Sequence, residues 1–126
     1  MDKKKILNRL DVAEKYFGQT KYQSIVILAQ SAFQRGNFKL CASFLDQLPS
    51  KKDLLASLIK KLKGKSVHHT LQKIQKGNLK NDYVTLKGLS SLFTHILISC
   101  EQGDREYSLL IPVVLEEINE RIYNII

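Results

Sequence analysis

Between Asp82 and Glu101 the apolar residues Leu86, Leu89, Phe93, Ile96 and Cys100 recur at alternating steps of three and four. That interval traces one side of an α-helix and fits no strand, whose side chains change face at every residue. The same rhythm runs through most of the chain, and no segment alternates apolar with polar residues between hairpin turns. The expected fold class is therefore all-α: an antiparallel stack of about seven short helices, arranged as an α-solenoid or a helical bundle.

Glycines, prolines and capping residues place the breaks. A first helix, about Lys3 to Phe17, puts Ile6, Leu10, Ala13 and Phe17 on one stripe and stops at Gly18, a candidate left-handed C′ residue. Thr20-Lys21-Tyr22-Gln23 has the form of a capping box, in which Thr20 bonds the Gln23 amide and Gln23 reaches back. The helix that follows, about Lys21 to Arg35, carries Ile25-Val26-Ile27-Leu28-Ala29 and is apolar around most of its circumference, the pattern of a central core helix. Gly36 ends it and Asn37 caps a third, with Phe38, Cys41, Ala42, Leu45 and Leu48 on one stripe and Leu40 and Phe44 on a second, so two neighbours are expected.

Pro49 closes that helix, and Ser50-Lys51-Lys52-Asp53 forms another capping box ahead of Leu54, Leu55, Leu58, Ile59 and Leu62. Gly64 and Gly77-Asn78 bound a weaker helix from Ser66 to about Gln75, and the long helix begins at Asn81 or Asp82. After the stop at Gly103-Asp104, Pro112 kinks or begins the last helix, whose apolar side would carry Leu115, Ile118, Ile122 and Ile126 opposite Glu116, Glu117 and Glu120. Ile27, Phe38, Cys41, Leu45, Leu89, Phe93 and Ile96 are the expected core.

The stretch Ala32-Phe33-Gln34-Arg35-Gly36-Asn37-Phe38-Lys39-Leu40-Cys41 resembles the inter-helix turn of the tetratricopeptide repeat, with a small residue, a glycine, an aromatic and another small residue in order. Pro49 stands where that family often ends its second helix. The resemblance implies close packing of two antiparallel helices and a protein-binding role. It spans about residues 23–49, and a shift of about 34 residues, one repeat, from Gly36 and Phe38 lands on Thr70 and Gln72, which do not repeat the pattern.

The 126 residues suit a single domain, and 44% apolar with 25% charged residues is the balance of a chain that folds. No apolar run nears the roughly 18 residues that cross a bilayer, no apolar leader follows Met1, and Cys41 and Cys100 form no disulfide framework, so the expectation is a cytoplasmic protein without a membrane partner. Charge divides that domain unevenly: residues 1–80 hold 17 lysines and arginines against five acids, residues 81–126 three against seven. Nine lysines lie between Lys51 and Lys80 with Asp53 the one acid, a concentration that matches the whole net charge of +8.

No residue pattern points to catalysis, a cofactor or a metal, and an enzyme is not expected. Gly64-Lys65-Ser66 lacks the glycine five positions earlier that a phosphate loop requires, since Ile59 is there. His68 and His69 are adjacent and would point about 100° apart on a helix, and neither they nor His95 complete a ligand set. Cys41 and Cys100 fall on apolar stripes as small core residues, and Glu116, Glu117 and Glu120 fit a solvated helix face.

What remains is binding. The stacked helices point to a protein-interaction module, an adaptor, chaperone or small scaffold subunit that takes a helix or an acidic surface as its partner. The alternative is sequence-independent nucleic-acid binding by the lysine run, whose outward arc would carry Lys52, Lys60, Lys61 and Lys63, with Lys65 beyond it. Lys51 and Lys52 oppose the dipole at their helix N-terminus, so helix stability does not account for them. The run has no arginine and little aromatic company, which leaves phosphate contact without base readout. A third expectation is self-association, basic end against acidic end.

Overall fold

The computed structural model describes residues 2–125, which carry seven α-helices and no strand. They are α1 (Lys3–Phe17), α2 (Gln23–Gln34), α3 (Phe38–Leu45), α4 (Lys51–Lys61), α5 (His68–Lys76), α6 (Tyr83–Glu101) and α7 (Ile111–Ile125), with a 3-10 turn at Arg105–Leu110. The chain divides into two compact units, Met1–Pro49 and Ser50–Ile126. Counted by unit the charge is even, eight basic against four acidic residues in the first and twelve against eight in the second. The asymmetry along the sequence thus lies inside the second unit, between its first two helices and its last.

In the N-terminal unit each helix packs on the other two. The α1 stripe is as its spacing predicts: Ile6, Leu10, Ala13 and Phe17 are buried. The α2–α3 turn follows from Gly36, whose φ of +76° suits a residue without Cβ. There the Asn37 amide donates to Ala32 O at 2.9 Å and the Gly36 amide to Phe33 O at 3.0 Å, the paired bonds of a Schellman stop. The Asn37 side chain then accepts from the Leu40 amide at 3.2 Å and starts α3.

Four expectations for this unit are corrected. Gly18 is right-handed (φ −63°), so it ends α1 as an ordinary last residue. Thr20 forms no capping box; its hydroxyl donates to Phe17 O and accepts from the Tyr22 amide, and α2 starts at Gln23 without a side-chain cap. Helix α2 is not enclosed: Val26, Ala29 and Ala32 face inward while Ile27 and Leu28 are 54% and 49% exposed. Two short neighbours can cover only one side of a helix, and the two alanines are what close approach requires. Phe38 is half-buried against Phe33, ring centroids 5.2 Å apart, and Leu40 is exposed, whereas Cys41 and Leu45 are buried as expected.

In the C-terminal unit α4 opens with the capping box: the Asp53 amide donates to Ser50 Oγ and the Ser50 amide to Asp53 Oδ2, each at 3.1 Å. The Ser50 amide, and after it the Ser50 hydroxyl, hold the Asp53 carboxyl below its ordinary value, as the Thr85 amide and hydroxyl do for Asp82, the cap of α6. Leu54, Leu58, Leu62, Val67 and Leu71 close α4 on α5. Helix α6 packs against α5, α7 and the 3-10 turn, and these neighbours bury Thr85, Leu89, Leu92, Ile96 and Ser99. The buried side is therefore rotated from the expected stripe. Leu89 and Ile96 belong to both, but Phe93, Leu86 and Cys100 are only half-buried.

Gly88 lies where α6 faces Thr70 of α5. A Cβ at this position would lie 2.5 Å from Thr70 Oγ1, so its absence is what lets α5 approach α6. Gly88→Ala is accordingly expected to destabilise the unit, although alanine is the better helix former by about 1 kcal/mol. In a Thr70→Ala background the same substitution should instead stabilise by about that amount. Urea denaturation of the four proteins reads the reversal, and an equal effect in both backgrounds would exclude the close approach as its cause.

The last helix departs furthest from its pattern. Pro112 sits in the first turn of α7, where its missing amide does no harm. The buried residues are Val114 and Arg121, with Ile118 and Ile125 half-buried, while Leu115 and Ile122 are 40% and 41% exposed. The expected position of Ile126 lies outside the described residues. An arginine takes the inward place because each of its three guanidinium nitrogens finds an acceptor.

Candidate functional site

The lysine run forms a continuous exposed surface on α4 and the turn after it. Leu54, Leu58 and Leu62 face inward, and Lys52, Lys60, Lys61, Lys63 and Lys65 are all exposed. The turn rests on Gly64 (φ +88°) and on the Lys65 amide donating to Leu62 O at 2.9 Å. Four of the five candidates share this outward surface without an ion pair among the described residues. Lys61 is drawn away. Its ammonium lies 2.5 Å from Asp104 Oδ2 and 5.3 Å from the centre of the Tyr107 ring, whose hydroxyl meets Ser57 Oγ at 2.8 Å. A lysine satisfied by a carboxylate and an aromatic face together is less available to a partner than its neighbours.

In the N-terminal unit exposed apolar residues occur on all three helices, Leu7 and Val12 on α1, Leu40 on α3, and the adjacent pair Ile27 and Leu28, the most exposed of them, on α2. This helix contains no charged residue, and its outward side reads Ser24, Ile27, Leu28 and Ser31. A cleft of about 320 Å³ runs beside it, with Val26 and Ile27 on its apolar side and Glu14, Gln19, Gln23 and Gln30 supplying polar groups. The Gln30 amide is already turned to Glu14, 2.7 Å away. An aliphatic strip bordered by hydrogen-bonding side chains can accept an apolar helix face and orient it.

Arg121 organises the far side of the C-terminal unit. Its Nη1 lies 2.6 Å from Glu117 Oε2 and 3.3 Å from Glu120 Oε2, its Nη2 donates to Leu79 O at 3.3 Å, and its Nε to Lys80 O at 3.4 Å. The planar guanidinium so ties the loop before α6 to α7. Glu117 and Glu120, expected on a solvated face, are partners of this buried charge, whereas Glu116 stays exposed. The signal was present in the sequence: Val114, Ile118, Arg121 and Ile125 keep steps of four and three, with an arginine in an apolar place.

The remaining reactive side chains are spread out. His68 Nδ1, at the start of α5, meets Ile59 O of α4 at 3.1 Å, His95 Nδ1 meets Ser91 O one turn back in its own helix at 2.8 Å, and His69 is exposed. Burial pushes the Cys41 and Cys100 thiols up, and the Glu106 carboxylate adds to the effect at Cys100, so both stay protonated at neutral pH. Glu106 is itself buried, and one of its carboxylate oxygens has no hydrogen-bond partner among the described residues. The surfaces best furnished for a partner are therefore α2 in one unit and the lysines of α4 in the other. No protein-family model matches the chain, and no curated protein or solved structure does either.

Proposed function

We propose that the chain is a non-enzymatic protein-binding module, an adaptor, chaperone or scaffold subunit, that engages an amphipathic helix of its partner through the outward side of α2. The observation that carries this reading is the exposure of Ile27 and Leu28, about half each, on a helix without a single charged residue. The exposed half of these aliphatic side chains on an uncharged helix adds nothing to folding and raises the risk of aggregation, so a partner that covers it gives it a use. The likeness of residues 32–41 to the tetratricopeptide turn supports the same role, since hairpins of that family pack closely and present a helix face to peptides.

Ile27→Lys together with Leu28→Lys should leave the helical circular dichroism spectrum nearly unchanged and lower the thermal midpoint only modestly, because half of each side chain already faces water. The pair should abolish co-purification of a partner that the native chain retains. Retention of that partner by the double variant would remove α2 as the docking face.

A second reading rests on Lys52, Lys60, Lys63 and Lys65, which form a surface suited to phosphates. Replacing Lys52, Lys60, Lys61 and Lys63 with Gln would then weaken binding to all nucleic-acid sequences alike and flatten its salt dependence by about one unit of slope for each phosphate no longer neutralised. No detectable binding of oligonucleotides at low salt removes this reading.

A further inference from the structure

Helix α7 carries three glutamates and one arginine, and the arginine is the residue turned inward. What it offers outside is therefore acidic, on a chain of net charge +8. Glu116, Glu120 and Tyr123 follow one another at steps of four and three and so make one stripe. Tyr123 is 85% exposed, and Glu120 keeps more than half its side chain in solvent beside Arg121. From Glu116 to Tyr123 the stripe is about 10 Å long at 1.5 Å per residue.

The same unit shows what such a stripe can hold. Lys61 is held between the Asp104 carboxylate and the Tyr107 ring, a carboxylate with a tyrosine face. The α7 stripe repeats that combination with no lysine on it among the described residues. Lysines at comparable spacing exist on this chain: Lys60 on α4 and Lys63 in the turn after it stand three positions apart against four for Glu116 and Glu120, and Lys52 extends the face about 12 Å back along α4. All three are exposed and carry no ion pair among the described residues.

We infer that the α7 stripe of one molecule docks on the α4 lysine face of a second copy of this chain. Glu116 and Glu120 face Lys60 and Lys63 of the other molecule, and the Tyr123 ring receives an ammonium. Pairing α7 with α7 instead would set glutamates against glutamates, so like charge disfavours that dimer. Because the two docking surfaces differ, the contact is head-to-tail and can continue from molecule to molecule. It gives the lysine face an occupant other than nucleic acid and is independent of the α2 surface. Ion pairs at solvent-exposed positions are individually weak, which makes the association salt-sensitive and reversible.

Sedimentation velocity of the nuclease-treated full chain tests this. Association should rise with concentration at about 50 mM salt and vanish at about 500 mM, where screening shortens the reach of the charges. Glu116→Gln with Tyr123→Ser, and separately Lys60→Gln with Lys63→Gln, should each weaken self-association about tenfold while leaving Arg121 and its partners intact. Their circular dichroism spectra should match the native one. An equimolar mixture of the two variants should recover a dimer, because one molecule still offers the lysines and the other the stripe. A native chain that stays monomeric at low salt overturns the proposal, as does association that the nuclease abolishes, that either folded variant retains in full, or that mixing fails to restore.

Discussion

Arg121→Ala is expected to destabilise the C-terminal unit by about 3 kcal/mol, the low end for removing one partner of a buried ion pair, because the Glu117 left behind is itself 29% exposed. The guanidinium side chain is 6% exposed, and its loss leaves Glu117 Oε2 and the carbonyls of Leu79 and Lys80 without their donor. Denaturant unfolding would show a midpoint shift far beyond what an exposed arginine produces. Arg121→Lys keeps the charge but cannot span the carboxylate and both carbonyls at once, so it should recover only part of the loss. Adding Glu117→Gln to Arg121→Met separates the contributions. It removes the stranded carboxylate and should restore the electrostatic share, while the two carbonyls stay unpaired. A loss below about 1 kcal/mol for Arg121→Ala would mean that this side chain lies in solvent.

Two residues one turn apart on α6 should respond unequally. Ile96 is fully buried, and Ile96→Ala should cost about 2–5 kcal/mol through lost transfer energy and the cavity left behind. Phe93 is half-buried. Although its ring is larger, Phe93→Ala should cost less than Ile96→Ala, because water already reaches one side and can fill the space. The difference in unfolding free energy between the two variants checks the rotation of α6. A larger loss at Phe93 would restore the stripe of Leu86, Leu89, Phe93, Ile96 and Cys100 as the buried side.

The breaks in the chain were legible because they depend on neighbouring residues alone. Gly36, Gly64, Gly77 and Gly103 all adopt positive φ, and Ser50, Asn37 and Asp82 each cap the helix that follows. Thr20 is the instructive exception. Its neighbourhood has the letters of a capping box, but its hydroxyl bonds back to Phe17 and the helix begins later. The lysine face was equally readable, since charge on a short amphipathic helix goes outward. What could not be read was that Lys61 leaves its neighbours for Asp104, 43 residues away.

The residue pattern alone determined that the chain is helical, where most of its helices stop, and which stretch concentrates positive charge. Those properties follow from the backbone needs of each turn and the period of each stripe, within a few residues of sequence. Tertiary structure decided how each helix is rotated about its axis. Within its unit helix α2 packs on α1 and α3 through Val26, Ala29 and Ala32, and Ile27 and Leu28 are left about half exposed despite their hydrophobicity. Helix α7 turns Arg121 inward because two carbonyls from the loop before α6 wait there, and Leu115 and Ile122 move outward as a result. A periodic stripe restricts a helix to a range of orientations; the acceptors and the packing supplied by distant segments select one of them.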